Sequence, residues 1–189
     1  MLGMDFSIRV IRSDEWEEGR ELRLVALRDP VAHLAFLDTY EDAVARPDSF
    51  WQERTEGASE DGPGDVRQFV AEAADGRWLG TVTVLVERAG TETYFGDVPA
   101  VEQTHVVGVF VRDEARGSGV IDALYEAAVE WSWSLEQGVE RVRLYVHGEN
   151  VRAQAAYRRM GFVDTGVRVA LHGQEDAQEL EFELLRPAG

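Results

Sequence analysis

The stretch Val106-Val107-Gly108-Val109-Phe110-Val111-Arg112-Asp113-Glu114-Ala115-Arg116-Gly117-Ser118-Gly119-Val120-Ile121-Asp122-Ala123-Leu124 decides the reading of this chain. Its apolar, β-branched first third predicts a buried strand. The strand feeds an Arg-Gly-x-Gly loop, and the loop opens a helix. Two glycines let the backbone curl tightly and turn several N–H groups toward one point. The helix start adds further unpaired N–H groups and the positive end of its dipole. Arg116 adds a cation that matches phosphate through two parallel hydrogen bonds. The loop reads as a pyrophosphate cradle, with an ordinary turn as the alternative.

Two common phosphate cradles are excluded. The chain has no lysine, so it has no Gly-x-x-x-x-Gly-Lys-Ser/Thr loop. Gly117 and Gly119 have no third glycine partner, because position 122 is Asp.

A second segment narrows the choice. Arg141-Val142-Arg143-Leu144-Tyr145-Val146 reads as a strand and is followed by His147-Gly148-Glu149-Asn150. The run Val151–Met160 then reads as a helix capped by Asn150 and ended by Gly161, with Phe162 opening another strand. Together the two segments resemble the GNAT family of N-acetyltransferases, which bind acetyl-coenzyme A. The family pattern Arg/Gln-x-x-Gly-x-Gly/Ala lies on Arg116-Gly117-Ser118-Gly119-Val120-Ile121. Its Asn-x-x-Ala and Tyr-x-x-x-Gly-Phe elements lie on Asn150, Ala153, Tyr157, Gly161 and Phe162. The resemblance covers about residues 103–170 well and the first hundred residues in outline. One position departs from it: Ile121 stands where the family has a small residue. Its branched side chain is expected to turn toward the sheet and leave the cradle N–H groups exposed.

Composition sets further bounds. A chain of 189 residues fits one domain with a sizeable core. Residues 1–189 are read as one acetyltransferase domain, with Met1-Leu2-Gly3 before Met4 as a vector remnant or an alternative start. No apolar run reaches the ~20 residues of a membrane span, and no basic-then-apolar leader is visible, so a cytoplasmic location is expected. No cysteine is present, which excludes disulfides, thiolate-bound zinc and an acyl-cysteine intermediate. His33, His105, His147 and His172 lack close metal spacing, and no metal is expected. The net charge of −17 disfavours nucleic acid and would attract a cationic substrate. The acids are spread along the chain, however, and a solvated surface explains them as well.

The remaining elements follow from periodicity and punctuation. Phe6–Ile11 alternates as a strand. Ser13 or Asp14 caps a helix to about Arg28, with Trp16, Leu22, Val25 and Ala26 as its apolar stripe. After Asp29-Pro30 a second helical stretch is expected over Val31–Ala45. Asp48 or Ser49 caps a short helix with Phe50 and Trp51. Arg67–Ala74 and Trp78–Arg88 form a hairpin across Asp75-Gly76. A long connection, Ala89–Val101, leads to a central strand, Gln103–Val111. A helix over Val120–Gln137 ends at Gly138. Phe162–Ala170 and Glu179–Leu185 form a last hairpin across Gly173–Asp176. The resemblance implies a GNAT-like α/β fold: a central, mostly antiparallel mixed sheet with a splayed parallel strand pair and helices on both faces.

The resemblance also implies site residues. Arg116 and the N–H groups of Gly117, Ser118, Gly119 and Val120 would bind the pyrophosphate. Backbone groups of Val109 and Val111 would pair with the pantetheine arm, and the Val109 N–H would polarise the thioester carbonyl. Asn150 would touch pantetheine besides capping its helix. Tyr157 would contact the thioester sulfur and protonate it as it leaves, with a core aromatic as the alternative. His105 would take the proton of the acceptor amine; Glu102 and water are its rivals. Regular alternation places His105, Val107 and Val109 on one strand face. Phe36, Tyr40, Glu41 and Trp51 offer aromatic faces and a carboxylate suited to an organic cation, although aromatics at this spacing also suit a core. The expected activity is direct acetyl transfer from the thioester to a primary amine on a small molecule or peptide. A CoA-binding sensor or interaction domain without transfer is the rival, and a homodimer is left open.

Overall fold

The computed structural model describes residues 3–171 and 174–189. Met1, Leu2, His172 and Gly173, with the readings attached to them, lie outside the described residues. The fold is a mixed α/β one. Seven strands hydrogen-bond in the order β1-β2-β3-β4-β5-β7-β6: Phe6–Val10, Val66–Ala73, Trp78–Glu87, Gln103–Val111, Arg141–His147, Gln174–Leu185 and Val163–Leu171 respectively. The pairs β1–β2, β2–β3, β5–β7 and β6–β7 are antiparallel, whereas β4–β5 is parallel. Two compact units share the chain: residues 1–85 with 108–128, and residues 86–107 with 129–189.

The first unit holds helices α1 (Trp16–Leu27), α2 (Tyr40–Ala45) and α3 (Asp48–Ala58). Its core joins Ile11, Leu22, Ala26, Ala58, Val70, Trp78 and Phe110. A second cluster forms where Leu27, Ala43 and Trp51 meet Trp16, Leu24, Phe36, Tyr40 and Phe50.

Several local expectations need correction here. Ser13 and Asp14 occupy the middle of a turn closed by the Glu15 N–H on the Arg12 carbonyl at 3.1 Å, so Glu15 holds the N-cap position of α1. The Glu15 carboxylate accepts from the Arg12 N–H at 2.8 Å and pairs with Arg9 at 2.6 Å, tying β1 to α1. The stretch Val31–Ala45 is not one helix. A 3₁₀ turn over Ala32–Leu34 stops short, and Thr39 then caps α2 by accepting the Asp42 N–H at 3.2 Å. A cap inside a helical pattern diverts the backbone bonds that would continue it. Pro47, rather than Asp48 or Ser49, is the N-cap of α3.

The second unit contains the later part of α4 (Val120–Ser134), together with β5, helix α5 (Val151–Arg159), β6 and β7. Val142, Leu144, Val146, Tyr157, Phe162 and Phe182 are buried in it. Helix α4 stops at Ser134, and the chain turns through Gly138, whose N–H reaches the Leu135 carbonyl at 3.2 Å. Strand β7 starts at Gln174, five residues before the expected Glu179, so the turn does not extend to Asp176. The polar run at its start lacks an apolar face to read, and backbone pairing with β6 carries it.

Strand β4 departs from regular alternation. Gly108, inside the strand, has φ of +62°. A left-handed residue there interrupts the two-residue repeat, so the shared face expected for His105, Val107 and Val109 does not hold across Gly108.

Candidate functional site

The strand–loop–helix segment folds as its residues dictate. Strand β4 ends at Val111, a 3₁₀ turn covers Asp113–Ala115, and Gly117 and Gly119 adopt φ of +77° and +90° before α4 begins. Only glycine takes such angles without cost. A side chain added at either glycine would meet nothing within 4 Å, so this face of the loop is open. The first turn of α4 supplies N–H groups without intrahelical partners. The backbone therefore suits a pyrophosphate. One N–H is already engaged: that of Ser118 donates to the Ala115 carbonyl at 3.3 Å, and its hydroxyl bonds the same oxygen. Val120 is buried and Ile121 half-buried.

Arg116 is not a bare cation. It pairs with Asp29 at 2.5 Å and Asp113 at 3.0 Å, and its Nε donates to the Val111 carbonyl at 3.3 Å. These contacts hold the loop against the end of β4 and the segment after α1. They also offset the charge that a phosphate would meet. Val109 is half-buried and Val111 buried.

Phe36, Tyr40 and Trp51 meet in the second cluster of the first unit, whereas Glu41 is exposed on α2. Phe36 and Tyr40 already carry guanidinium groups on their faces: Arg23 lies 4.3 Å from the Phe36 centroid and Arg28 lies 4.3 Å from that of Tyr40. The two rings are thus occupied by the protein's own cations, which weakens the expectation that they cage an organic one. Trp51 is 4% exposed, and its indole N–H has no acceptor among the described residues. A buried donor left so costs roughly 1–3 kcal/mol.

In the second unit, His105 is the centre of a buried cluster. It is 1% exposed and packs against the rings of Phe95, at 4.6 Å between centroids, and Tyr145, at 5.2 Å. Its Nδ1 lies 3.2 Å from Glu87 Oε2. Glu87 also accepts from Gln103 Nε2 at 2.9 Å and Arg143 Nε at 2.7 Å. Arg143, wholly buried, reaches Asp97 at 2.6 Å, Glu181 at 3.2 Å and the Tyr145 hydroxyl at 3.0 Å.

The ionisation of this cluster follows from its contacts. Burial pushes the Glu87 carboxyl up, but the bonds from His105 and Arg143 outweigh it and hold it at about 2. The bond from Arg143 is the main cause that holds Asp97 at about 2. Burial lowers the His105 pKa, and the neighbouring Glu87 offsets this in part. His105 is therefore a neutral imidazole beside a fixed carboxylate. Donation from Nδ1–H to Glu87 leaves Nε2 as the acceptor.

Glu102, the rival base, accepts from the Ala89 N–H at 3.2 Å through Oε1, while Oε2 is buried without a hydrogen-bond partner among the described residues. Asn150 caps α5, accepting the Ala153 N–H at 3.2 Å. Tyr157 is 8% exposed, with the Phe162 and Phe182 ring centroids each 6.3 Å from its own. The ring therefore packs against two aromatic neighbours. Glu87, Asp97, Arg143 and the Gly108 kink were absent from the sequence reading. Glu87 and Arg143 could be found as charged residues within apolar strands and Gly108 as a glycine inside a strand, whereas Asp97, in the connection before β4, carries no such signal.

The family model for the acetyltransferase (GNAT) family matches residues 16–162 of the chain, well beyond the two motifs. Mycothiol acetyltransferase of Saccharomonospora viridis is 39% identical over 104 residues, which are 54% of this chain and 32% of that protein. The chain thus spans about a third of the length of this curated relative. A GNAT-family acetyltransferase structure from Streptococcus pneumoniae superposes with a TM-score of 0.72 at 15% identity, covering 96% of this chain and all of that one. Arabidopsis thaliana NAA60 in complex with acetyl-CoA gives a TM-score of 0.67 at 18% identity, covering 96% and 98%. At these identities the two structures speak for the fold alone.

Proposed function

The chain belongs to the acetyltransferase (GNAT) family, and on that premise we propose that it is an acetyl-CoA-dependent N-acetyltransferase, one domain over residues 1–189, acting on a primary amine. The observation that carries the reading is the loop of Gly117 and Gly119: two left-handed glycines with an open face deliver the N-terminus of α4. Bound acetyl-CoA supplies an activated acetyl thioester. With no cysteine to accept the acetyl group, transfer to the amine is direct.

The chain's residues then have these roles. N–H groups of Gly117, Gly119 and Val120 bind the pyrophosphate, with Arg116 turning from its carboxylate partners toward it. Backbone groups of Val109 and Val111 hold the pantetheine arm, and the Val109 N–H polarises the carbonyl. Asn150 keeps its cap and lines the arm. His105 accepts the amine proton at Nε2. Because it is 1% exposed, the proton reaches it through water rather than by direct contact. Glu87 fixes the tautomer and stabilises the imidazolium that forms. Tyr157 protonates the departing sulfur.

The test is a panel of primary amines incubated with acetyl-CoA, with free thiol as the readout. Transfer to at least one amine above the hydrolysis rate is expected. CoA binding by calorimetry without thiol release from any amine would instead establish the non-catalytic binding module.

A further inference from the structure

A small cavity in the first unit gathers hydrogen-bond donors within an acidic protein. The chain has a net charge of −17, yet the cavity lining includes Arg23 and Arg54 and no carboxylate. The rest of its polar wall is Thr55, Thr83, Trp51, Gln68 and Thr81, of which the Thr81 hydroxyl is spent on the Phe69 carbonyl at 2.8 Å and accepts from Gln68 Nε2 at 3.0 Å. Thr55 and Thr83 are 4% and 9% exposed. The Trp51 indole, a donor only, lacks an acceptor among the described residues. Arg23, Arg54, Thr55, Thr83 and Trp51 are each able to donate a hydrogen bond. The cavity measures about 30 Å³, room for two water-sized atoms. That is the span of the two oxygens of a carboxylate, and too little for a ring or an alkylammonium chain.

Its position matters as much as its chemistry. Gly108 and Phe110 form part of the wall, and these are the neighbours of Val109 on β4. The left-handed turn at Gly108 removes a side chain from that wall: a Cβ there would stand 3.7 Å from the Thr83 hydroxyl.

We propose that this cavity seats a carboxylate of the acceptor, and that the acceptor is an α-amino acid or a small amine with a carboxylate close to its amino group. The proposal rests on the acetyl-transfer reading and names the substrate class of the same site. A carboxylate two bonds from the amine, held between Arg23, Arg54 and Thr83, presents that amine beside Val109, where the reading puts the thioester. Arg23 is held ready by Asp38 at 2.5 Å and by the face of Phe36. The net-negative field of the protein disfavours a dianion. A zwitterion with no net charge meets no such penalty, and its carboxylate gains charge-assisted bonds. Among the acceptors left open by the sequence, the cavity thus favours a zwitterionic one over an organic cation.

The experiment compares amino acids with their own carboxamides, which keep the amine and side chain but lack the anion. Glycine, methionine and phenylalanine are each paired with the amide, using acetyl-CoA and thiol release. At least one acid should exceed its amide by about tenfold or more in kcat/KM, the scale of a lost charge-assisted bond. Thr83→Val and Arg54→Gln should bring the two within about threefold of each other, while CoA affinity stays unchanged. The protein's overall charge favours the cationic amide, so an acid preference is not a default outcome. Amides turned over as well as or better than acids would overturn the proposal and leave acetyl transfer standing. If no compound releases thiol, calorimetry of acid and amide on the CoA complex decides: tighter binding of the acid upholds the anion seat although transfer fails, and equal or absent binding overturns it.

Discussion

His105 Nδ1 lies 3.2 Å from Glu87 Oε2, and Arg143 holds the other oxygen of that carboxylate at 2.7 Å. The imidazole is thus given an orientation and a tautomer by a chain of three side chains. If His105 accepts the amine proton, kcat/KM should rise with pH through an ionisation of the free enzyme. Burial sets that ionisation below the ordinary histidine value of 6.5. His105→Ala should lower the rate by roughly 10²–10⁴-fold and abolish the inflection. His105→Gln should not restore it, because an amide accepts no proton. Two acceptors of different amine pKa serve as the control: an inflection that follows the acceptor and persists in His105→Ala assigns the proton to Glu102 or to water.

Arg116 gives an asymmetric pair of variants. Arg116→Ala should weaken CoA binding by removing a contact worth ~1.5–3 kcal/mol, while pantetheine without the nucleotide loses much less. Asp29→Asn should do the reverse. Its amide oxygen can still accept the Val31 N–H, a 3.1 Å bond in the parent, but it no longer competes for the guanidinium as an ion. CoA affinity should then rise. Calorimetry with both ligands reads each case, and equal losses of CoA and pantetheine in Arg116→Ala would remove Arg116 from the phosphate site.

Tyr157→Phe tests the leaving-group role. The ring is packed with Phe162 and Phe182, and phenylalanine preserves that packing. Turnover should fall while acetyl-CoA affinity holds. Wild-type turnover would make Tyr157 a core residue only.

Glu179 predicts a pH effect on stability. It lies on β7 opposite His147 of β5, and burial raises its carboxyl from 4.5 to about 7. The folded state then binds a proton more tightly than the unfolded state. The protein should lose stability from this group as pH rises from about 4.5 to about 7, and the loss should persist above that. Glu179→Gln should raise Tm well above neutrality and leave it little changed in acid. Thermal melts across pH check the sign; a Tm unaffected by the substitution on the alkaline side would show the carboxylate to be solvated.

What could be read from the chain was what its local order encodes. Strand β4, the glycine cradle and the Asn150 cap announce themselves through apolar runs, punctuation and a side chain three residues from the N–H it accepts. The break before α2 did not, because Asp38-Thr39 is a short polar step between two apolar-periodic stretches and fits the solvent face of one continuous helix as well as a cap. Nor did the early start of β7, where pairing rather than side-chain pattern makes the strand. The cluster around His105 was the least legible. Its partners Glu87 and Asp97 lie 56 and 46 residues from Arg143 in sequence, and only folding brings them to one guanidinium. Glu87 and Arg143 were visible inside their strands and Asp97 in the connection between them, but which acid would meet which base was not.

Arg143 joins the end of β3, the connection to β4 and strand β7 through one buried cation. Asp97 is that connection's only carboxylate paired to Arg143 among the described residues. This sets a rule for anyone who exchanges the segment Ala89–Val101 with that of a relative to alter acceptor choice. The graft must bring an acid to the place of Asp97, or the parent must surrender Arg143 with it. A graft that does neither leaves Arg143 to Glu87 and Glu181 alone, with the hydrogen bonds that Asp97 accepted unmade, and the chimera should melt below the parent, so its specificity must be read at a temperature where both are folded.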